Sequence, residues 1–184
     1  MTTPEDLRAI ALPEFASAGY AGTSLQRIAE LAGVSKSAVL YHYASKEALL
    51  EAAIGPAIDR MAGILESFAA EPMSAASRQA FIEQFVDFLL KHRLEVHMFI
   101  NQGASLQDVP VIERANALVR RLAAFFSANT DSIEEKMRFG IALGGAAYML
   151  CSAQTFDLAE VGTPDETRDA LITILSDLLT PVNR

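Results

Sequence analysis

A single cysteine, Cys151, stands among the 184 residues. No disulfide can form within the chain, which is consistent with a reducing compartment. Basic excess is also missing. Lys and Arg number 15 against 23 Asp and Glu, for a net charge of −8. That argues against an electrostatic membrane anchor. No long apolar run is present. The least polar stretch, Phe139 to Ala153, contains Gly140, Gly144 and Gly145 and falls short of the roughly 20 residues that span a bilayer. The N-terminal segment MTTPEDLRA is acidic and lacks an apolar signal core, so a soluble cytoplasmic protein is expected. There is no glycine-rich phosphate loop and no nucleophile elbow. Strand-like alternation, internal repeats and low-complexity segments are lacking too.

What is present is apolar and helical in period. Hydrophobic residues make up 51% of the chain and charged ones 21%, which excludes a disordered chain. The apolar share is high for this length and hints at a further buried surface such as a subunit interface.

The segment from Thr23 to Leu50, TSLQRIAELAGVSKSAVLYHYASKEALL, is the most informative. Thr23 and Gln26 have capping-box spacing. Leu25, Ile28, Ala29 and Ala32 fall on one helical face. Gly33 stands where a helix end often needs a left-handed residue. Ser35 is a suitable N-cap for a second helix, in which Val39 and Tyr43 pack inward. Lys36, Ser37, Ala38, Tyr41 and His42 are left outward, a face small at its start and furnished with donors. Ser45 can cap a third helix, with Lys46 in its first turn. A short helix, a glycine turn and a second short helix form the layout of a helix-turn-helix.

The stretch from about Leu7 to Leu50 resembles the DNA-binding domain of the tetracycline-repressor (TetR) family of transcriptional regulators. The resemblance rests on Phe15, Gly19-Tyr20, Thr23-Ser24, Ile28-Ala29, Ala32-Gly33-Val34-Ser35, Tyr41-His42-Tyr43 and Ser45 to Leu50. It covers about a quarter of the chain, without a gap. Three features depart from the family's pattern. Leu40 stands where the family usually has an aromatic, and Tyr41 is then the nearest hydroxyl. Pro13 falls inside the first helix, where a kink or break is expected. Residues 1–50 carry Arg8, Arg27, Lys36 and Lys46 against Glu5, Asp6, Glu14, Glu30 and Glu47, so non-specific affinity for phosphate should be modest.

The rest of the chain reads as further helices, about nine in all. Thr3-Pro4 with Asp6 opens the first, with Leu7, Ile10, Ala11 and Phe15 as its core stripe. The helix from Lys46 continues through Ala53, Ile54, Ala57, Ile58, Met61 and Leu65 to Phe68. Pro56 should kink that helix rather than end it. Arg78–Lys91 is amphipathic, with Phe81, Ile82, Phe85, Phe88 and Leu89 inward. Arg93–Asn101 is a shorter helix, Gln102 to Ser105 a loop, and Asp108–Ser127 another helix. Ser132 and Glu135 form a capping box for a helix reaching about Gln154. Thr163-Pro164-Asp165-Glu166 opens the last, to about Leu179. The expected fold is all-α: a three-helix helix-turn-helix domain over 1–46 and a helical bundle over 47–184.

The resemblance implies a homodimer through the last two helices. The residue pattern offers a strip of small residues at Gly140, Gly144, Ala147 and Cys151. Beside it runs an apolar stripe at Leu171, Ile174, Leu175 and Leu178. The resemblance also implies a small-molecule effector of unassigned identity, with apolar chemistry compatible with the candidates. These are Met61, Phe85, His97, Met98, Gln102, Phe126 and Tyr148, although Met and aromatic residues at helical spacing are more often plain core. His92 and Glu95 share a helix face and His97 does not, so no metal site or other cofactor is expected.

The function expected is a ligand-responsive regulator, a repressor, whose partner is a double-stranded DNA operator. Its DNA-contacting candidates are Thr23, Ser24, Ser35, Lys36, Ser37, Ala38, Tyr41, His42 and Lys46. The alternative is a helical ligand-binding or interaction protein that has lost DNA binding. An all-helical enzyme ranks last, for want of a catalytic constellation.

Overall fold

The computed structural model describes residues 3–70, 72, 74–130, 132–152 and 163–180. Among them are nine α-helices and no strand: α1 (Pro4–Ala18), α2 (Leu25–Leu31), α3 (Lys36–His42), α4 (Lys46–Ala70), α5 (Ala75–Lys91), α6 (Arg93–Gln102), α7 (Pro110–Ala128), α8 (Ile133–Cys151) and α9 (Pro164–Leu179), with a 3-10 turn at Gly103–Ser105. The all-α expectation is met. Gln154, the expected end of α8, lies outside the described residues.

Local signals account for most of the helix ends. In α1 the Thr3 hydroxyl accepts from Asp6 N–H at 3.2 Å, and Thr3 N–H donates to the Asp6 carboxylate at 2.8 Å. Reciprocal boxes also open α5 (Ser74 and Ser77) and α9 (Thr163 and Glu166). The box at α8 is only half formed. Ser132 caps Glu135 N–H, but the Glu135 carboxylate accepts from the Thr130 hydroxyl instead of reaching back. Pro13 does not break α1, which runs on to Ala18. Proline removes one donor there, and the Ser17 hydroxyl donates to Pro13 O at 2.8 Å. Pro56 likewise lies inside an unbroken α4.

The chain forms two compact units. One comprises Met1–Asp59 with Leu94–Ala115, the other Arg60–Arg93 with Asn116–Arg184. Their limits fall inside α4, α6 and α7. The compact packing therefore recruits residues 94–115 to the N-terminal segment, which chain order alone does not suggest.

The core of the first unit holds Leu7, Ala11, Phe15, Ile28, Ala29, Val39, Leu49 and Leu50, all without solvent exposure. Met98, Val111 and Ile112 belong to the same cluster. Burying each large side chain is worth about 1.5–3 kcal/mol. Arg114 of α7 pairs with Glu51 and Asp59 of α4 within this unit.

The second unit packs α5, α8 and α9 against one another. Its centre is aromatic. Phe68 stacks on Phe81 at 4.6 Å and Phe126 on Phe139 at 4.0 Å. Phe88, expected inward, is only half-buried and lies against His92. The Arg168 guanidinium donates twice to Asp87, at 2.6 and 3.1 Å, tying α9 to α5. The last carbonyls of α9 accept from two arginines, Leu179 O from Arg78 at 3.1 Å and Leu178 O from Arg138 at 3.4 Å. Cations there oppose the negative end of the helix dipole.

Candidate nucleic-acid interface

Helix α3 is short, and each end is defined by a side chain. The Ser35 hydroxyl accepts from Ala38 N–H at 3.1 Å and opens it. Tyr43 follows its last residue, and its phenol donates to Pro4 O at 2.9 Å. Val39 is fully buried, while Tyr43 is half-buried rather than wholly inward. That single-sided anchoring leaves Lys36, Ser37, Leu40 and Tyr41 exposed and Ala38 and His42 partly so. Tyr41 is 86% exposed and Leu40 41%. The Tyr41 and His42 rings meet edge to face at 5.1 Å.

The turn before α3 needs its glycine. Gly33 has φ +67°. Its N–H donates to Glu30 O at 3.1 Å, while Val34 N–H reaches Ala29 O at 2.9 Å. This double closure is the Schellman pattern, which calls for a left-handed residue at that point.

The expected cap of α2 is corrected by the structure. Ser24, not Thr23, is the N-cap, accepting from Arg27 N–H at 3.1 Å. Gln26 pairs with Glu30 instead of reaching back. The reason lies in tertiary position. Thr23 is 2% exposed, and its hydroxyl donates to Gly19 O at 2.8 Å and Glu14 O at 3.3 Å. It is spent closing the turn after α1.

Lys46 is drawn into the same turn. Its ammonium donates to Tyr20 O at 2.9 Å and Thr23 O at 3.0 Å, and lies 4.2 Å from the centre of the Tyr20 ring. Burial, with the Glu47 charge adding, pushes the Tyr20 phenol up to about 12. Of the nine DNA-contact candidates, then, Ser24, Ser35, Lys36, Ser37, Ala38, Tyr41 and His42 lie at or on the outer faces of α2 and α3. Thr23 and Lys46 face the interior of the head, the first of the two units.

An exposed donor-bearing helix, a glycine turn and a second capped helix are the parts of a major-groove reader. Residues 7–53 match the family described as "Bacterial regulatory proteins, tetR family". The segment is similar to a tetR-family N-terminal domain. Outside it, likeness thins. The helix-turn-helix-type transcriptional regulator RutR of Escherichia coli K12 is 32% identical over 121 residues, 66% of this chain and 53% of that one. The helix-turn-helix-type transcriptional regulator YerO of Bacillus subtilis is 40% identical over 78 residues, 40% of this chain and 27% of that one. The chain thus spans about half the length of RutR and about a quarter of YerO in these matches. A solved TetR-family regulator from Streptomyces coelicolor A3 shares the fold over 100% of this chain and 94% of its own, with TM-score 0.70 and 24% identity. One from Bordetella parapertussis does so over 96% and 93%, with TM-score 0.70 and 17% identity.

The effector candidates divide between the two units. Met61, Phe85 and Phe126 are buried in the second, where Tyr148 is 48% exposed. His97, Met98 and Gln102 belong to the first. Met98 is fully buried in its core. Gln102 makes two hydrogen bonds to backbone, to Tyr20 N–H at 2.7 Å and Phe15 O at 2.8 Å. A small cleft of about 160 Å³ in the second unit is lined by Arg78, Thr130, Glu135, Arg138, Phe139 and Thr180 among others, and by none of the seven candidates.

Sequence reasoning missed two ties within the head: Tyr43 to Pro4 and Gln102 to Tyr20. Their partners stand 39 and 82 residues away. No local spacing announces either.

Proposed function

We propose that this chain is a ligand-responsive transcriptional regulator, a repressor, that binds a palindromic DNA operator as a homodimer. The observation that carries the reading is the outward face of α3. Lys36, Ser37 and Tyr41 stand exposed on a helix whose only fully buried residue is Val39. In the reading, α3 enters the major groove. Lys36, Ser37 and Tyr41 contact base edges or phosphates, while Ser35, Ala38 and His42 border them. Ser24, at the start of α2, offers phosphate positioning, which sets register without reading sequence. Thr23 and Lys46 support that surface from inside the head. By role, residues 1–46 read DNA, and 47–184 bind effector and dimerise.

Two copies are needed to read a palindrome, with recognition helices about one DNA turn apart. Helix α8 offers a surface for this. Ile133, Met137 and Ile141 are exposed, and the exposed Gly140 and Gly144 lie on the same helix. On α9, Ile174 is 53% exposed, whereas Leu175 is buried within its own unit. Pairing α8 and α9 with their copies would cover that face. The effector part is assigned to Met61, Phe85, Phe126 and Tyr148, with His97 and Met98 nearer the head in chain order. An effector acts only through different affinities for two conformations. In this reading the protein acts in the cytoplasm, where its DNA operator would be, and no catalytic role is assigned.

The test is to expose the purified protein to a random duplex library at moderate salt and sequence what it retains. An enriched inverted repeat supports the reading. Failure to enrich even at low salt favours a helical ligand-binding protein without DNA recognition, to which Leu40 and the acidic head would then point.

A further inference from the structure

We propose that Gln102 is a positioning residue for DNA reading: its side-chain amide locks the turn between α1 and α2 to the end of α6. The inference rests on the head being the DNA reader. Helix α1 ends at Ala18, and Gly19, at φ +80°, swings the chain out of the helix. The turn leaves Tyr20 N–H pointing away from the helical ladder. The Gln102 oxygen accepts that N–H at 2.7 Å, and the Gln102 nitrogen donates to Phe15 O at 2.8 Å. One amide thus does what a further backbone peptide would do at a helix end.

The lever is fixed at both ends. Gln102 is the last residue of α6, and its own carbonyl accepts from the Ser105 hydroxyl at 2.8 Å. On the other side, Tyr20 O and Thr23 O both accept from Lys46 of α4. Helices α4 and α6 therefore grip the same five-residue turn through one side chain each. Ser24, which caps α2, follows that turn directly. A shift of the α6 end changes the pose of α2 and, through its tight turn, of α3. The neutral amide serves here because it accepts from one partner and donates to the other, which neither a carboxylate nor an ammonium can do.

The chemistry supplies its own control. In Gln102→Glu, an ionised carboxylate still accepts from Tyr20 N–H but repels Phe15 O. A protonated carboxyl restores both bonds. Gln102→Met keeps length and loses both. Ionisable groups on the elements around Gln102 are Glu5, Asp6, Arg8 and Glu14 of α1, Tyr20 of the turn, Lys46 and Glu47 at the start of α4, Arg93, Glu95 and His97 of α6 and Asp108 after the 3-10 turn. They are common to wild type and variant, so the difference between the two isolates residue 102.

The experiment follows two readouts for wild type and both variants at about pH 8 and pH 5, either side of where a partly buried carboxyl titrates. One is the protection factor of the Tyr20 amide in hydrogen exchange. The other is the affinity for the duplex that wild type retains from a random library, set against a scrambled duplex. Expected is a protected Tyr20 amide in wild type at both pH values. Gln102→Met should lose protection, with roughly tenfold weaker specific binding, the equivalent of one lost buried hydrogen bond, and unchanged scrambled binding. Gln102→Glu should match it at pH 8 and return toward wild type at pH 5. Wild-type affinity and protection in both variants would overturn the proposal. So would an equal loss on both duplexes accompanied by a lower melting temperature, which marks a purely structural role. If wild type retains no duplex, the DNA reading fails, and the Tyr20 amide alone decides whether Gln102 locks the turn.

Discussion

The phenol of Tyr43 donates a hydrogen bond to the carbonyl of Pro4 at 2.9 Å, joining the end of α3 to the start of α1. The exposed face of α3 thus inherits its angle from the first turn of α1. Tyr43→Phe keeps the ring and removes the bond. Pro4 is then left with one accepting group fewer satisfied, which costs about 1 kcal/mol. Urea denaturation should show a lower midpoint at unchanged slope.

Lys36 lies exposed in the first turn of α3. Lys36→Ala should leave stability within about 0.5 kcal/mol of wild type, as surface changes do. Operator affinity should fall. If the ammonium contacts a phosphate, the slope of log affinity against log salt should drop by about one. Unchanged affinity removes Lys36 from the interface.

Gly33 sits at φ +67° with no atom within 4 Å of where a Cβ would stand. The cost of a side chain there is therefore conformational, not steric crowding. Gly33→Ala should destabilise by about 1 kcal/mol. Gly33→Asn should lose less, since Asn tolerates the left-handed region. Thermal melts of the three proteins decide it. Equal losses in Ala and Asn would mean the backbone has rearranged.

The Arg168 hydrogen bonds beside Asp87 hold its carboxyl below the ordinary value. A depressed carboxyl adds stability above its unfolded value and loses it as pH falls through the folded one. Asp87→Asn should lower the melting temperature slightly at pH 7, both side chains being partly exposed. The gap to wild type should begin to narrow as pH falls below about 3.9 and vanish only below the depressed folded value. A pH-independent gap would assign the loss to packing.

Ile141 is 61% exposed in the middle of α8. Ile141→Asp adds a charge at an exposed position, so the fold should survive. The dimer proposed on α8 and α9 should dissociate in sedimentation velocity. A monomeric wild type would refute the surface itself.

What could be read in the sequence was what local chemistry controls. The boxes at Thr3 and Thr163, the serine caps at Ser35 and Ser45 and the left-handed Gly33 are contacts within four residues of each other. The buried faces of α1 and α4 follow from the 3.6-residue period. The spacing of the helix-turn-helix is likewise local, and with it the outward set from Lys36 to Tyr41.

Tertiary structure decided where two partners compete for one group. Thr23 had the better capping-box sequence, with Gln26 three residues on, yet its hydroxyl closes the turn at Gly19 and Ser24 caps α2 instead. Lys46 stood as a DNA-contact candidate, but two carbonyls, Tyr20 O and Thr23 O, and the face of the Tyr20 ring hold it. Gln102 looked like a polar group waiting for a ligand, and its partners came from the turn after α1 and from α1 itself, 82 and 87 residues earlier. A side chain's local options are written in its neighbours. Which option wins depends on distant acceptors that only the folded chain brings within hydrogen-bond reach.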